Sequence, residues 1–316
     1  MTLSNIDFDS ISRDYSIKRI ASNIIDEISL YCKENNLSDE IRDLLTYNLS
    51  LGGRRIRLIK SLVVAKLTGG ITEDIENLIC ALEFANSAIF IHDDIIDHDT
   101  KRKERPTLNS MIGYEKALLI GNILHALSIA KLLELSSSAK KKRIDLDLIK
   151  SLIVEHLGQF SDLDYRHNYP NSLEKWEEMV LRHSCNYVAF ALAGIAKLNR
   201  ADSSIIDALY EYEKNCTLAG AAEDALLGFY GKKSSGDLKN GSYTILVYFA
   251  LKEKGNINDS PEALAKSIAD SSAVFSTKEY IQEKVTRALD SIKCFKEGRE
   301  KSILIFLTKQ ILENAK

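Results

Sequence analysis

Four aspartates crowd the stretch "IFIHDDIIDHDTKRKERPT", residues 89–107: Asp93, Asp94, Asp97 and Asp99, followed at once by Lys101, Arg102, Lys103 and Arg105. Carboxylates are hard oxygen donors. Asp93 and Asp97, spaced i and i+4, stand one turn apart on one face of a helix, with Asp94 to one side, so the three can share hard cations. Magnesium held by few carboxylates keeps positions open for phosphate oxygens. The preceding apolar residues Leu78, Leu82, Ala85, Ile89 and Phe90 form a helical stripe, which puts the acids at the carboxy-terminal end of a largely buried helix. The helix dipole disfavours carboxylates there by a few tenths to about 1 kcal/mol each, so something cationic should compensate. The plainer reading is a solvated helix end whose lysines and arginines neutralise the acids, since charge runs usually are solvated faces.

The elements that would position these residues are helices. Only three prolines interrupt the 316 residues, Pro106, Pro170 and Pro261, and apolar residues recur at three- and four-residue spacing nearly throughout, which predicts an all-α protein. Predicted helices cover 15–35, 39–50, 54–68, 72–98, 114–136, 143–167, 172–198, 202–230, 243–254, 260–272, 278–295 and 299–314, and none of the breaks is long enough for an interdomain linker. With 45% apolar and 28% charged residues, the chain has the composition of a soluble globular protein with a sizeable core, expected as a single domain over residues 1–316. A net charge of −3 argues against a nucleic-acid partner. No apolar run reaches the roughly 18 residues of a spanning helix, and the polar, acidic amino end is unlike a secretory signal; the expectation is a cytoplasmic protein without an integral membrane segment. Cys32, Cys80, Cys185, Cys216 and Cys294 are scattered, with no CxxC pair, and indicate neither a zinc site nor a disulfide framework.

The run "DDIIDHDTKRKERPT" resembles the first aspartate-rich motif of the trans-prenyltransferases, the isoprenyl diphosphate synthases. "LGGRRIR" at 51–57 resembles the family's GGKRLR, "GNILHA" at 121–126 its GDLLHA, "GQFSDLD" at 158–164 its GQxxDL, and "GDLKNGSYTIL" at 236–246 the segment after its second aspartate-rich motif. The similarity therefore spans most of the chain. It implies an isoprenoid synthase fold, long helices around a central apolar cavity, in which isopentenyl diphosphate attacks the carbocation left when an allylic diphosphate departs. It also implies two to three magnesium ions and a homodimer, or a heteromer with a related synthase.

Carried over residue by residue, the resemblance makes Asp93, Asp94 and Asp97 metal ligands and Arg102 a grip on the allylic diphosphate. Lys103 stands where the family has a second arginine for isopentenyl diphosphate, and Arg54 and Arg57 occupy its other grips on that substrate. Asn86 replaces a histidine that donates to phosphate. His183 and Ser184 fall on the family's Lys-Thr pair, which contacts the allylic diphosphate, and Gln159 and Asp162 match a pair that faces the cavity. For each of these a bland role remains open: a basic surface turn for Arg54 and Arg57, a helix-surface residue for His183, a buried hydrogen bond for Gln159.

The second acidic motif departs from the family pattern. Where FQxxDDxxD is expected the chain reads "AGAAEDALLGF", so Glu223 and Asp224 hold the paired acids, Leu227 replaces the last aspartate, and Ala219 and Gly220 replace Phe-Gln. Glu223 and Asp224 are the expected ligands of a third ion. Ser242 and Tyr243 stand near the family's lysines, for which Lys232, Lys233 or Lys239 are the substitutes at hand. Ala88, five places before the first aspartate, with Ile89 after it, takes the place of the bulky residue that floors the chain-length pocket, which implies a product of geranylgeranyl length or longer unless residues such as Ile120 to Leu127 close it. Two other functions share these residues: a weakly active or non-catalytic subunit of a heteromeric synthase, and a class I terpene cyclase.

Overall fold

The computed structural model describes residues 6–102, 104–137, 143–232, 236–257 and 260–316. Lys103, Lys233 and most of the "SSSAKKKR" segment lie outside them. Among the described residues the chain is helical apart from one two-stranded hairpin, and it divides into two compact units: the chain up to Asp147 together with Gly194–Arg200, and Leu148–Ala193 together with Ala201–Lys316.

In the first unit, α1 (Phe8–Asp14) and α2 (Ile17–Glu34) lead to α3 (Asp39–Ser50), α4 (Ile56–Thr68) and α5 (Glu73–Ile96). Strands β1 (Lys101–Arg102) and β2 (Arg105–Pro106), the short α6 (Leu108–Ile112) and α7 (Tyr114–Leu133) follow. Helix α5 begins where Thr72 accepts from the Ile75 amide, 3.4 Å, and three acidic residues, Glu73, Asp74 and Glu76, sit in its first turn; both features favour a helix start. Its buried side, including Ile75, Leu78, Leu82, Ala85 and Ile89, packs along α7.

In α7 the buried residues include Ala117, Ile120, Leu124, Leu127 and Leu132. By length and composition it is nonetheless long and apolar enough to cross a membrane, which corrects the expectation that no such run exists. It packs against α5 on one side, while Leu118, Leu119 and Leu133 are exposed.

The second unit starts within α8 (Ile144–Tyr165), which is followed by α9 (Leu173–Val180), a π-helical turn at Leu181–Cys185 and α10 (Asn186–Leu198). Beyond these lie α11 (Ser203–Phe229), α12 (Ile245–Lys254), α13 (Pro261–Ala269), α14 (Ala273–Ser291) and α15 (Arg299–Asn314). Its core gathers Trp176, Met179, Leu218, Ala219, Ala222, Leu226, Tyr243, Val247, Tyr280 and Val285 among others, with α11 lying along α14.

All five cysteines are free; Cys294 is exposed and the other four are buried. Burial pushes the Cys80 thiol up to about 12, out of reach of a thiolate-specific reagent at pH 8. A thiol titration of the native protein is expected to give a rapid phase of one equivalent, from Cys294, and the remainder only on unfolding. A rapid phase of two or more would contradict the burial.

Candidate active site

The first acidic cluster is built at the end of α5. The last carbonyls of a helix lack intrahelical partners, and here they are met from the following loop. The Asp97 amide donates to Asp93 O (2.8 Å) and the Asp99 amide to Asp94 O (2.9 Å). Asn109 Nδ2 reaches Asp94 O (3.4 Å) and Asp99 O (2.9 Å), and Thr107 Oγ1 donates to Asp99 O (2.8 Å). Antiparallel pairing of Arg102 with Arg105 folds the chain back, and the Tyr47 hydroxyl anchors the returning strand through Pro106 O, 2.7 Å.

The three motif aspartates are not equivalent. Asp94 is 2% exposed and takes both Nε (2.8 Å) and Nη2 (2.6 Å) of Arg102 on its Oδ1. Burial pushes its carboxyl up to about 6, against the pull of Arg102 in the other direction. Burial also raises Asp99, again opposed by Arg102. Arg102 itself loses by burial but is held above its ordinary value by Asp94, Asp93 and Asp99. Asp93 and Asp97 are half-buried and share one face a turn apart. Two carboxylates at that spacing form a hard oxygen set suited to magnesium, with Asp94 oriented behind them by its guanidinium.

The basic turn before α4 sorts its arginines. Gly52 and Gly53 adopt φ of +69° and +103°, and Arg55 follows at +46°, a left-handed run that glycine makes accessible. Arg55 turns inward: Nη1 lies 3.5 Å from Oε2 of the buried Glu83, and Nη2 donates to Leu49 O. Arg54 is exposed, with its guanidinium 5.5 Å from the Phe8 ring centre. Arg57 lies 5.3 Å, and Arg102 4.6 Å, from the centre of the Phe90 ring. Asn86 is half-buried two turns before Asp93, and Ala88 (0% exposed) and Ile89 (5%) are in the core. The first unit thus brings Asp93, Asp94, Asp97, Asn86, Arg57 and Arg102 to one end of α5 and its neighbours. Phe90 was not singled out as a site residue by sequence; an aromatic one turn before Asp93 and Asp94 was the available signal.

In the second unit the sequence predicts one helix over 172–198, and the structure breaks it with the π-helical turn at Leu181–Cys185. Such a turn inserts a residue and frequently marks a functional site. It carries His183 and Ser184, whose hydroxyl lies 3.4 Å from His183 Nδ1. His183 Nε2 stands 3.5 Å from the buried Glu155. Gly158 permits this approach, because a Cβ there would collide with the His183 backbone. Gln159 is half-buried on the same helix, and Asp162 is bound by Arg166 through Nε (3.0 Å) and Nη2 (2.7 Å).

On α11 the paired acids part company. Glu223 is 7% exposed and accepts from Asn314 Nδ2 at 2.6 Å, whereas Asp224 is exposed. Tyr243, near the position of the family's lysines, is a core residue at 1% exposure. Its hydroxyl accepts from the Ser172 amide and donates to Ser172 O, both 3.1 Å, and burial pushes it up to about 12. Lys232 and Lys239 are both exposed.

Residues 38–283 match the polyprenyl synthetase family. Over 242 residues the chain is 27% identical to a short chain isoprenyl diphosphate synthase of Methanocaldococcus jannaschii, covering 74% of this chain and 72% of that protein. Over 256 residues it is 27% identical to a geranylgeranyl diphosphate synthase of Saccharolobus solfataricus, covering 72% and 75%. Its fold is that of a decaprenyl diphosphate synthase from Rhodobacter capsulatus, with a TM-score of 0.84 at 18% identity over 98% of this chain and 100% of the other.

Proposed function

Because the chain belongs to the polyprenyl synthetase family, we propose that it is a magnesium-dependent trans-prenyltransferase that condenses isopentenyl diphosphate with an allylic diphosphate to give a longer trans-polyprenyl diphosphate. The carrying observation is the end of α5, where Asp93 and Asp97 share a face and Asp94 is locked to Arg102 beside them. In this reading Asp93, Asp94 and Asp97 are metal ligands, and so are Glu223 and Asp224. Magnesium held by them would neutralise charge that develops on the departing diphosphate. Arg102, His183, Ser184 and Gln159 orient the allylic diphosphate, while Arg54, Arg57, Asn86 and Lys103 hold isopentenyl diphosphate. Apolar residues of α5 and α7 keep water from the cationic intermediate. We read residues 1–316 as one polyprenyl synthetase-like domain, which the family match supports by running through segments of both units.

The names of the relatives do not favour the non-catalytic subunit or the terpene cyclase. A second copy of the chain is the partner that best suits α7, where Leu118 (46%), Leu119 (60%) and Leu133 (57%) are exposed apolar residues; exposed apolar patches mark association sites, and sedimentation velocity reads the assembly. Free, mostly buried cysteines suit a reducing, cytoplasmic address.

The test is a turnover assay with magnesium, isopentenyl diphosphate and each of dimethylallyl, geranyl, farnesyl and geranylgeranyl diphosphates, with products resolved by mass. Elongated diphosphates that vanish on chelation are the expected result. No product from any starter, with the protein folded, sinks the reading; a hydrocarbon formed without isopentenyl diphosphate points to a cyclase.

Product length has its own test at Ala88. Its complete burial in α5 leaves a substituted ring two outcomes, to push its neighbours apart or to occupy the space reserved for the growing chain. Ala88→Phe is expected to shorten the product by at least one five-carbon unit, at a stability cost of about 1–3 kcal/mol from overpacking. An unchanged product distribution would remove Ala88 from the pocket.

A further inference from the structure

Guanidinium groups in the first unit are held by carboxylates and by aromatic rings, and Arg102 by both. Arg55 is held by a carboxylate, Glu83, at 3.5 Å. Arg54 lies over the ring of Phe8, and Arg57 and Arg102 both lie over the ring of Phe90, at 5.3 and 4.6 Å from its centre. An aromatic ring attracts a guanidinium through its quadrupole, and so helps to fix its position alongside whatever other partners it has.

Phe90 is well placed for this task. It is half-buried between Ile89 (5% exposed) and Ile91 (1%) on α5, so the helix fixes its backbone and core packing fixes its surroundings, while part of the ring stays accessible. Arginine side chains lose considerable rotamer freedom when they are ordered. An arginine already parked on a rigid ring loses less of it when the ligand arrives.

We infer that Phe90 is a positioning residue that presets two diphosphate grips at once, Arg57 for isopentenyl diphosphate and Arg102 for the allylic diphosphate. The inference rests on the assignment of those two arginines under the proposed function. The two grips do not depend on the ring equally. Arg102 is also fixed by its two bonds to Asp94 Oδ1, so removing the ring should disturb Arg57 more.

The experiment is steady-state kinetics of Phe90→Leu, Phe90→Met and Phe90→Tyr, with calorimetric binding of isopentenyl diphosphate alone as a readout free of turnover. Leu and Met keep apolar bulk without a ring, and Met guards against a packing defect peculiar to Leu. For both, KM for isopentenyl diphosphate is expected to rise about tenfold and KM for the allylic substrate about threefold, with kcat within about twofold. Calorimetric affinity should fall in step with the first, and Phe90→Tyr, which restores the ring, should return all three to near wild-type values. Arg57→Ala and Arg102→Ala serve as controls on the assignment. If they raise the two KM values but Phe90→Leu and Phe90→Met leave both unchanged, or lower kcat alone, the inference is overturned and the assignment stands. If the arginine variants themselves move neither KM, the assignment falls and the inference falls with it.

Discussion

Replacing Asp93 by alanine is expected to lower kcat by about 100- to 1,000-fold, the loss typical when a preorganised group that stabilises developing charge is removed, without unfolding the protein. Asp93 is half-buried, and its backbone carbonyl accepts from the Asp97 amide. Cutting back the side chain leaves that bond in place. Asp93→Asn separates charge from shape, keeping the size of the side chain while discarding the hard anionic oxygen, and is expected to match the alanine variant to within about tenfold. Both variants should need more magnesium for half-maximal rate. Steady-state kinetics over a magnesium series, beside a thermal melt, reads the outcome. A kcat within about fivefold of wild type would return the cluster to its plainer reading, a solvated helix end.

The largest effect on stability is expected from Arg102→Ala. Asp94 is 2% exposed and Arg102 meets it with two nitrogens, so the substitution strands a buried carboxylate, at a cost of about 3 kcal/mol. The cost depends on pH in a definite direction. The folded-state value of Asp94, about 6, lies above the 3.8 of a free carboxyl, so between those values the folded protein binds more protons than the unfolded one. The group's contribution to stability is therefore full below 3.8 and is lost as pH rises through 6. Without Arg102 the folded value rises further, and the penalty relative to wild type is greatest at pH 8 and shrinks toward pH 5, where Asp94 is protonated. Urea unfolding at the two pH values measures this. Adding Asp94→Asn should recover most of the loss; no recovery would show that Arg102 stabilises the loop by some other contact.

The helices were legible because little stands in their way. With so few prolines, the apolar period carries through, and helices such as α3 at Asp39–Ser50 and α15 at Arg299–Asn314 end where it ends. What the period could not reveal was backbone geometry set by distant contacts. The π-helical turn at Leu181–Cys185 has the composition of ordinary helix, and the close approach of Gly158 that accompanies it comes from another helix. The start of α14 at Ala273, five residues before the expected one, is masked by Val274, Ser276 and Thr277, residues of middling helix propensity.

The site was legible in its types and not in its roles. Three aspartates at motif spacing look interchangeable on paper, and only tertiary structure buries Asp94 against Arg102 while leaving Asp93 and Asp97 half-buried. Likewise Arg54, Arg55 and Arg57 read as one basic turn. The left-handed backbone at Arg55 sends that side chain inward to Glu83 and divides the group.

Tyr243 bears on how the chain between α8 and α9 comes to be ordered. A lysine-rich stretch that waits for phosphate is shaped by its cargo and slackens when the cargo leaves. Here a phenol clasps both the amide and the carbonyl of Ser172, and the neighbouring rings of Tyr165 and Tyr169 close around it at 6.0 Å. The segment is thus held by a latch made of the chain's own groups, with no phosphate among its fastenings.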